Sequence, residues 1–399
     1  MNKVELLAPA GDLEKLKIAI LYGADAVFIG GLHFSLRSRA SNFTLEDIKE
    51  GCDFAHKHNA KVHVTCNILP HEIDCDGVRE YLHSLEECGV DAIICASPLI
   101  IEEALKTNME VHVSTQESTL NSSMVKFYES MGVDRVVLGR ELDLKSIKEI
   151  KDNCKVDIEA FIHGGMCVSY SGRCMLSNNM TGRDANRGGC AHSCRWNYDL
   201  TINGNKINQD EYFAMSSKDL CALPLLKEYI ETGVTSFKIE GRMKSLHYIA
   251  TIVKTYREAI DEYYATGDIK NIDRYMEQIR KAENRQTSIG FLKGMTSVNE
   301  QLYDLFSEIP TQSFIGIVLD YNKETQIAKI DVRNNFKNNA KIELFRHNGS
   351  SEFFTISDIV NESEEHIEAA NHPRDIVYIK IPYECELNDM LRLQDESKH

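Results

Sequence analysis

Short apolar runs alternate with longer amphipathic segments through the first two-thirds of the chain. Apolar residues in the longer segments recur three and four positions apart, which predicts helices. The short runs are almost continuously apolar, as expected for parallel strands buried on both faces, and predict eight strands at 4–8, 26–30, 61–67, 91–96, 110–115, 135–139, 157–163 and 236–240. Eight strand–helix units predict an α/β fold, a (β/α)8 TIM-like barrel, with an open doubly wound sheet as the alternative.

The pattern changes near residue 314, where apolar and polar residues begin to alternate strictly between short polar turns. Such alternation is typical of a small antiparallel β-barrel. We therefore expect a barrel domain at residues 1–300 and a small C-terminal antiparallel β-barrel domain at residues 312–399.

One connection interrupts the strand–helix rhythm. About 70 residues separate His163 from Ser236, and they are rich in Gly, Arg and Cys. A connection of that length is uncommon in a compact domain unless it is functional. It also leaves the carboxyl end of the seventh strand, the side where barrel enzymes place their active sites. We call residues 164–235 the Cys-rich insertion, and its 198–212 segment predicts a β-hairpin.

Composition limits the setting of the protein. Of 399 residues, 43% are hydrophobic and 27% charged, as in ordinary globular proteins. The sequence contains no apolar run long enough for a signal peptide or a membrane span, so we expect a cytoplasmic protein without a membrane partner. In that reducing compartment its 12 cysteines are expected as buried residues, metal ligands or reactive thiols. The net charge of −16 argues against a surface coated with nucleic acid, although residues 167–196 carry four arginines against one aspartate.

The cysteines of the insertion suggest a soft metal centre. Cysteines elsewhere in the chain suit buried small residues, but Gly-, Ser- and Arg-rich surroundings offer these five no apolar core. Converging thiolates bind either tetrahedral zinc or an iron–sulfur cluster, and the wide, irregular spacing favours the cluster. The predicted metal ligands are four of Cys167, Cys174, Cys190, Cys194 and Cys221.

The same segment resembles a known family. Residues 159–177, E-A-F-I-H-G-G-M-C-V-S-Y-S-G-R-C-M-L-S, with R-D-A-N-R-G-G-C and C-R-W-N-Y after them, resemble the signature of the collagenase-like peptidase family U32. S-S-K-D-L-C, F-K-I-E-G-R-M-K-S and the early L-A-P-A-G agree with it. The likeness covers nearly the whole chain and is weakest in the C-terminal domain. Gly165 departs from the usual Ser or Ala of the signature.

The resemblance implies a function that composition does not. Members of the family were first labelled as proteases. The better-understood relatives look like iron–sulfur proteins that hydroxylate, without oxygen, a tRNA wobble uridine, a ribosomal RNA cytidine or a ubiquinone precursor. It implies a [4Fe-4S] cluster, prephenate as co-substrate and hydroxyl source, and tRNA as the partner, with 5-hydroxyuridine as the product. Hydroxylation of a 23S rRNA cytidine and collagenase-like peptidase activity are the alternatives, and an oligomer with itself or a paralogue is a further expectation.

Candidate site residues follow from the predicted strand ends. A dicarboxylate such as prephenate calls for arginines, so Arg37, Arg39, Arg140, Arg173 and Arg242 are predicted to bind substrate. Two further polar residues at the strand ends, Asn67 and Gln116, are also predicted to bind substrate. The predicted catalytic residues are His163, Glu141 and Glu240.

Each of these candidates has a structural alternative. The arginines would instead pair with carboxylates, and His163 would be a hydrogen-bonded structural residue. Trp196 is a further candidate, for stacking on an extruded base, but packing beneath the loop is the interpretation we favour for it.

Two other functional classes remain open. The chain has neither an H-E-x-x-H helix nor a G-x-S-x-G elbow, so only a Cys167–His163 dyad would support a protease. A non-catalytic RNA-binding scaffold with structural zinc is the third class, and it would not need the polar residues at the strand ends.

Overall fold

The computed structural model describes residues 3–36, 42–207, 213–282, 285–302 and 314–394. The chain divides into two compact units. The first comprises Met1–Ile279 and Arg285–Glu308, and the second comprises Arg280–Asn284 and Ile309–His399.

The first unit is built on a closed barrel of eight parallel strands, which confirms the predicted fold. Neighbouring strands pair in chain order, and the eighth strand pairs with both the first and the seventh to close the ring. The barrel strands are β1 (Glu5–Pro9), β2 (Ala26–Gly30), β3 (Lys61–Cys66), β4 (Ala92–Cys95), β5 (Glu110–Val113), β6 (Arg135–Val137), β7 (Asp157–Gly164) and β11 (Ser236–Ile239).

Helices connect these strands along the chain. The described helices of the chain are α1 (Leu13–Leu21), α2 (Leu45–Lys57), α3 (Val78–Glu87), α4 (Pro98–Ala104), α5 (Ser122–Met131), α6 (Leu144–Asp152), α7 (Leu176–Thr181), α8 (Leu226–Glu231), α9 (Leu246–Thr266) and α10 (Ile272–Arg280). Local sequence sets their ends. At the start of α2, for example, Thr44 and Asp47 form a reciprocal capping box, because each side chain accepts a hydrogen bond from the other residue's backbone N–H.

The Cys-rich insertion contains short elements between β7 and β11. It includes α7, the two-stranded hairpin β8 (Thr201–Ile202) and β9 (Asn205–Lys206), and β10 (Asp219–Cys221). The hairpin lies where the sequence predicted one, although residues 208–212 fall outside the described ranges. The strand β10 was not predicted. It runs antiparallel to β7 and parallel to β12 (Thr287–Ser288), so the insertion is joined to the barrel wall.

The second unit is the predicted antiparallel domain. Eight strands form one sheet in the order β17-β16-β22-β13-β14-β21-β18-β19, and β15 pairs with β20. The strands are β13 (Phe314–Asn322), β14 (Ile327–Val332), β15 (Phe336–Lys337), β16 (Lys341–Phe345), β17 (Glu352–Thr355), β18 (Ile359–Asn361), β19 (His366–Ile367), β20 (Ala369–Ala370), β21 (Ile376–Lys380) and β22 (Met390–Leu393). Alternate residues such as Ile330, Val332, Ile342 and Leu344 fill its apolar core.

Charged side chains from several barrel strands form a buried ionic network. Glu159 is fully buried and accepts hydrogen bonds from Lys238 at 2.7 Å and from Arg135 at 3.1 Å. Arg135 also donates to Glu5 at 2.6 Å, and Lys238 lies 4.4 Å from the ring centroid of Phe28. Each buried charge is therefore paired, which is the condition for keeping charge inside a barrel.

No helix in the described part of the chain is both long enough and apolar enough to cross a membrane.

Candidate functional site

The first part of the Cys-rich insertion is held against loops at the carboxyl ends of barrel strands. The Ser118 hydroxyl, which follows β5, donates to the carbonyl oxygen of Ser171 at 2.5 Å. Beside it, Gly172 has a φ of +73°, and a Cβ at that position would lie 2.1 Å from the carbonyl oxygen of Gln116. Only glycine permits both this backbone conformation and this close approach.

A second anchor joins the insertion to the loop after β3. The guanidinium of Arg187 donates to both oxygens of Asp74, at 2.7 and 2.8 Å. This paired hydrogen bond holds the pKa of Asp74 below its usual value. Next to it, the backbone N–H of Leu69 donates to the carbonyl oxygen of Asn186 at 3.0 Å. The insertion is therefore fixed to the barrel mouth on two sides.

Four of the five predicted metal ligands lie in one neighbourhood. Burial raises the pKa of the Cys194 thiol, Arg195 opposes the rise, and the thiols of Cys167, Cys190 and Cys174 add to it. Because charges influence a neighbour's pKa only at short range, the thiols of Cys167, Cys174 and Cys190 all lie near that of Cys194. Cys167 and Cys190 are exposed, while Cys174 and Cys194 are partly buried.

Cys221 occupies a different environment. It lies in β10, is 2% exposed, and its sulfur is 3.8 Å from the hydroxyl oxygen of Tyr256 in α9. The Tyr256 hydroxyl donates to the carbonyl oxygen of Ile162 in β7. The Cys221 thiol therefore packs between the barrel wall and α9.

The donor set of the insertion suits a soft metal centre. All four residues are free thiols, and Arg195, adjacent to Cys194, opposes the rise that burial causes in the pKa of Cys194. A single tetrahedral zinc ion, with Zn–S bonds of about 2.3 Å, would require sulfur atoms roughly 3.8 Å apart. Within the described ranges, no three His, Cys, Asp or Glu side chains form a group that could hold a metal ion. Thiolates that each bind a different iron of a cluster stand further apart than those around one ion.

Among the predicted substrate-binding arginines that the structure describes, Arg242 is the most deeply placed. It follows β11, is 6% exposed, and donates to the hydroxyls of Ser35 and Thr65 at 3.0 and 3.2 Å. It also donates to the amide oxygen of Asn42 at 2.9 Å. A Cβ on Gly30, the last residue of β2, would lie 2.2 Å from the Arg242 guanidinium. The barrel mouth is therefore shaped to hold a guanidinium next to the ends of β2 and β3.

The other predicted substrate-binding residues differ in position. Asn67 follows β3 and donates to the Ser114 hydroxyl at 3.4 Å, and Gln116 forms part of a short turn after β5. Arg140 stacks on Phe161, with its guanidinium carbon 3.8 Å from the ring centroid. Arg173 is exposed in the insertion. Arg37 and Arg39 lie outside the described residues.

Glu240 links the end of β11 to the insertion. Its carboxylate accepts a hydrogen bond from the backbone N–H of Gly165 at 3.0 Å. A Cβ on Gly165 would lie 2.8 Å from a guanidinium nitrogen of Arg195 and 3.1 Å from the Glu240 carboxylate. Glycine in place of the Ser or Ala of the family signature therefore leaves room for both charged groups.

Glu141 and His163 have pKa values displaced by burial. Burial raises the pKa of Glu141, so its carboxyl group holds a proton more readily than an exposed glutamate does. Burial lowers the pKa of His163 to about 3, and Lys244 contributes to the decrease. The His163 ring is 3.3 Å from the Tyr256 hydroxyl and is 2% exposed. These contacts are those of a neutral structural histidine, the alternative considered for it from the sequence.

Several residues of the site were not predicted. Ser35, Asn42 and Thr65 hold Arg242, and Asp74 holds Arg187. Thr65 carries a signal in the sequence, because it is a polar residue one position before the carboxyl end of β3. The other three lie in loops, where no periodicity marks them.

The fold and the site together define a (β/α)8-barrel protein that carries a cysteine-bearing insertion at its mouth. Family models assign it further: the model of peptidase family U32 matches residues 11–302, and that of the family's C-terminal domain matches residues 310–392. The chain belongs to peptidase family U32.

Three relatives of the chain carry different names. The chain is 46% identical to "tRNA hydroxylation protein P1" of Bacillus subtilis, over 98% of this chain and 95% of the relative. It is 40% identical to the "23S rRNA 5-hydroxycytidine C2501 synthase" of Escherichia coli, over 65% of this chain and 40% of the relative. It is 34% identical to "Collagenase" of Porphyromonas gingivalis, over 83% and 84%.

Proposed function

We propose that this protein is an RNA hydroxylase that acts on tRNA, forms 5-hydroxyuridine at the wobble position, and takes the hydroxyl group from prephenate. Similarity over nearly the whole chain to a relative named for tRNA hydroxylation supports the tRNA substrate. The observation that supports the proposal is that three thiols of the insertion lie near a fourth, Cys194, in a segment anchored to the loops after β3 and β5.

The ligands we propose for a [4Fe-4S] cluster are Cys167, Cys174, Cys190 and Cys194. The thiols of Cys167, Cys174 and Cys190 all lie near that of Cys194, and Arg195 opposes the rise that burial causes in the pKa of Cys194. Cys221, packed beneath α9, is the fifth cysteine of the insertion and is not needed in this set. A bound cluster would supply one-electron redox chemistry.

The barrel mouth supplies the groups that a dicarboxylate needs. Arg242 is fixed by two hydroxyls and an amide, so its guanidinium is already oriented when a carboxylate arrives. Asn67 adds a hydrogen-bonding group at the carboxyl end of β3, where its amide group lies beside Ser114. Glu141, whose pKa is raised by burial, is the group we assign to hold and release a proton.

The assay for this function is mass spectrometry of nucleosides from tRNA and ribosomal RNA of a deletion strain. We expect 5-hydroxyuridine and its derivatives to disappear from tRNA and to return when the wild-type gene is supplied. Loss of 5-hydroxycytidine from ribosomal RNA instead would replace the tRNA assignment with the ribosomal one. Unchanged nucleosides in both RNAs would contradict the proposal.

Cysteine variants test the ligand set separately from the reaction. After anaerobic preparation, C167S, C174S, C190S and C194S should each lose iron and sulfide, while C221S should retain both. Cys221 provides the matched control, because it lies in the same insertion but packs against Tyr256. Loss of iron in C221S with retention in C194S would refute the assigned set.

A further inference from the structure

The Cys-rich insertion concentrates exposed apolar side chains. Of the 20 exposed large hydrophobic residues in the described part of the chain, eight lie between residues 168 and 207. That segment is about a tenth of the chain, so the density is several times the average. The eight include two aromatic residues, Tyr170 and Trp196. Exposed apolar side chains that gather on one surface are typical of a binding site.

Two aromatic residues of this set stand beside the candidate metal centre. Tyr170 is 49% exposed and follows Cys167 by three residues, and Trp196 is 40% exposed and follows Cys194 by two. At no more than about 3.6 Å per residue, each is within roughly 11 Å of a cysteine along the chain. Tight turns hold both: the Tyr170 carbonyl accepts from the N–H of Arg173, and the Trp196 N–H donates to the Ser193 carbonyl.

The charge of the segment indicates which kind of partner binds to these rings. Residues 165–207 contain five Lys or Arg against two Asp, a net charge of +3 in a chain whose net charge is −16. Arginines directly precede Trp196 and Cys174, at positions 195 and 173. Arginine with exposed aromatic rings is the chemistry that binds single-stranded nucleic acid, since arginine contacts phosphates and the rings stack on bases. A protein partner would not require this local reversal of charge.

We propose that Trp196 and Tyr170 form a stacking platform for unpaired nucleotides of the RNA substrate, next to the four thiols. This inference rests on the proposed function and names the surface of that site which holds the RNA. It applies to single strands, because bases inside a duplex present no free face to a ring. Arg173 and Arg195 would contact the phosphates of the same nucleotides.

The chain provides its own probe, because Trp196 is its only tryptophan. The anaerobically prepared full chain is titrated with an unstructured single-stranded RNA of about ten nucleotides, a length suited to stacking sites. Tryptophan fluorescence and the anisotropy of a label on the RNA are recorded together. We expect saturable quenching with the same midpoint in both signals, and a much weaker response to a duplex of the same sequence.

Variants separate stacking from folding. W196A and Y170A should each weaken binding about 5- to 100-fold, as expected for losing one stacked base, whereas W196F should lose less. F353A is the matched control, since Phe353 is an exposed aromatic residue of the C-terminal domain, and its affinity should equal that of wild type. R173Q should lower the slope of log affinity against log salt by about 0.7. Iron content and circular dichroism verify that each variant is folded.

The outcomes distinguish this inference from the proposed function. Wild-type affinity in folded W196A and Y170A, or binding without any change in Trp196 fluorescence, would overturn the platform. So would self-association that covers Trp196 and excludes RNA. If the platform binds RNA but the deletion strain shows unchanged nucleosides, the platform is supported and the hydroxylase assignment is contradicted.

Discussion

The ionic network inside the barrel makes a strong prediction about stability. Replacing Glu159 with Gln keeps the shape of the side chain and removes the negative charge that faces Lys238 and Arg135. Burial raises the pKa of Glu159, but Lys238 and Arg135 lower it more, to about 2. Burial lowers the pKa of Lys238 while Glu159 opposes this. With 2.7 Å between the two groups, we take both as charged at neutral pH.

The size of the effect follows from leaving a buried charge without its partner. Breaking a buried pair by removing one member costs about 3–5 kcal/mol. The barrel unit has roughly 300 residues, for which the entropy of unfolding is about 0.6 kcal/mol per kelvin. The E159Q substitution should therefore lower the barrel's Tm by about 5–8 °C.

Thermal unfolding followed by circular dichroism and calorimetry measures this change. D157N is the matched control, because Asp157 is an exposed carboxylate on the same strand, and its Tm should change by about 1 °C or less. In the double variant E159Q/K238M the loss should be smaller than the sum of the two single losses, since both members of the pair are removed together. A Tm of E159Q within about 1 °C of wild type would refute this account of the barrel interior.

Three further predictions concern pH and the insertion. His63 and His163 are buried, and burial lowers the pKa of each to about 3, so only the unfolded chain takes up their protons below pH 6.5. The contribution of these two histidines to the free energy of unfolding should thus be fully present above pH 6.5. As the pH falls toward 4, that free energy should decrease by up to about 2.7 kcal/mol per pH unit. Urea titrations measure it, and an H163N slope equal to wild type would contradict it. R187Q should speed hydrogen exchange in residues 167–195, because it breaks the pair with Asp74 that anchors the insertion. K206Q breaks an exposed ion pair with Asp199 in the hairpin and should leave this exchange unchanged. Equal exchange rates in the two variants would count against the anchor. G172A should displace the loop and lower the iron content, because the added Cβ would clash with the carbonyl oxygen of Gln116. G182A is the control, since Gly182 also has a positive φ but faces open space, and it should retain iron. A lower iron content in G182A than in G172A would be inconsistent with this packing.

The barrel could be predicted because its strands are defined by local composition. Runs such as A-V-F-I-G in β2 are apolar on both faces, so strand identity needs no knowledge of the partners. The ionic network could not be predicted in the same way. Glu5, Arg135 and Lys238 stand in their own strands like ordinary charges, and only closure of the barrel brings them to Glu159.

The candidate site shows the same division. The cysteines of the insertion were identifiable because their spacing and polar surroundings are local features of the sequence. Its anchors were not, since the Arg187–Asp74 pair joins residues 113 positions apart. Nor was β10, whose pairing with β7 follows from tertiary structure and separates Cys221 from an exposed loop. Trp196 was expected to pack beneath the loop more readily than to stack, but the structure leaves it 40% exposed.

The most direct test of the central claim is the iron and acid-labile sulfide content of the full chain, purified without oxygen and measured with native mass spectrometry. We expect a brown protein whose mass exceeds that of the polypeptide by one four-iron, four-sulfide cluster. A colourless protein with no iron, or one carrying a single zinc ion, would contradict the assignment of these thiols to an iron–sulfur centre.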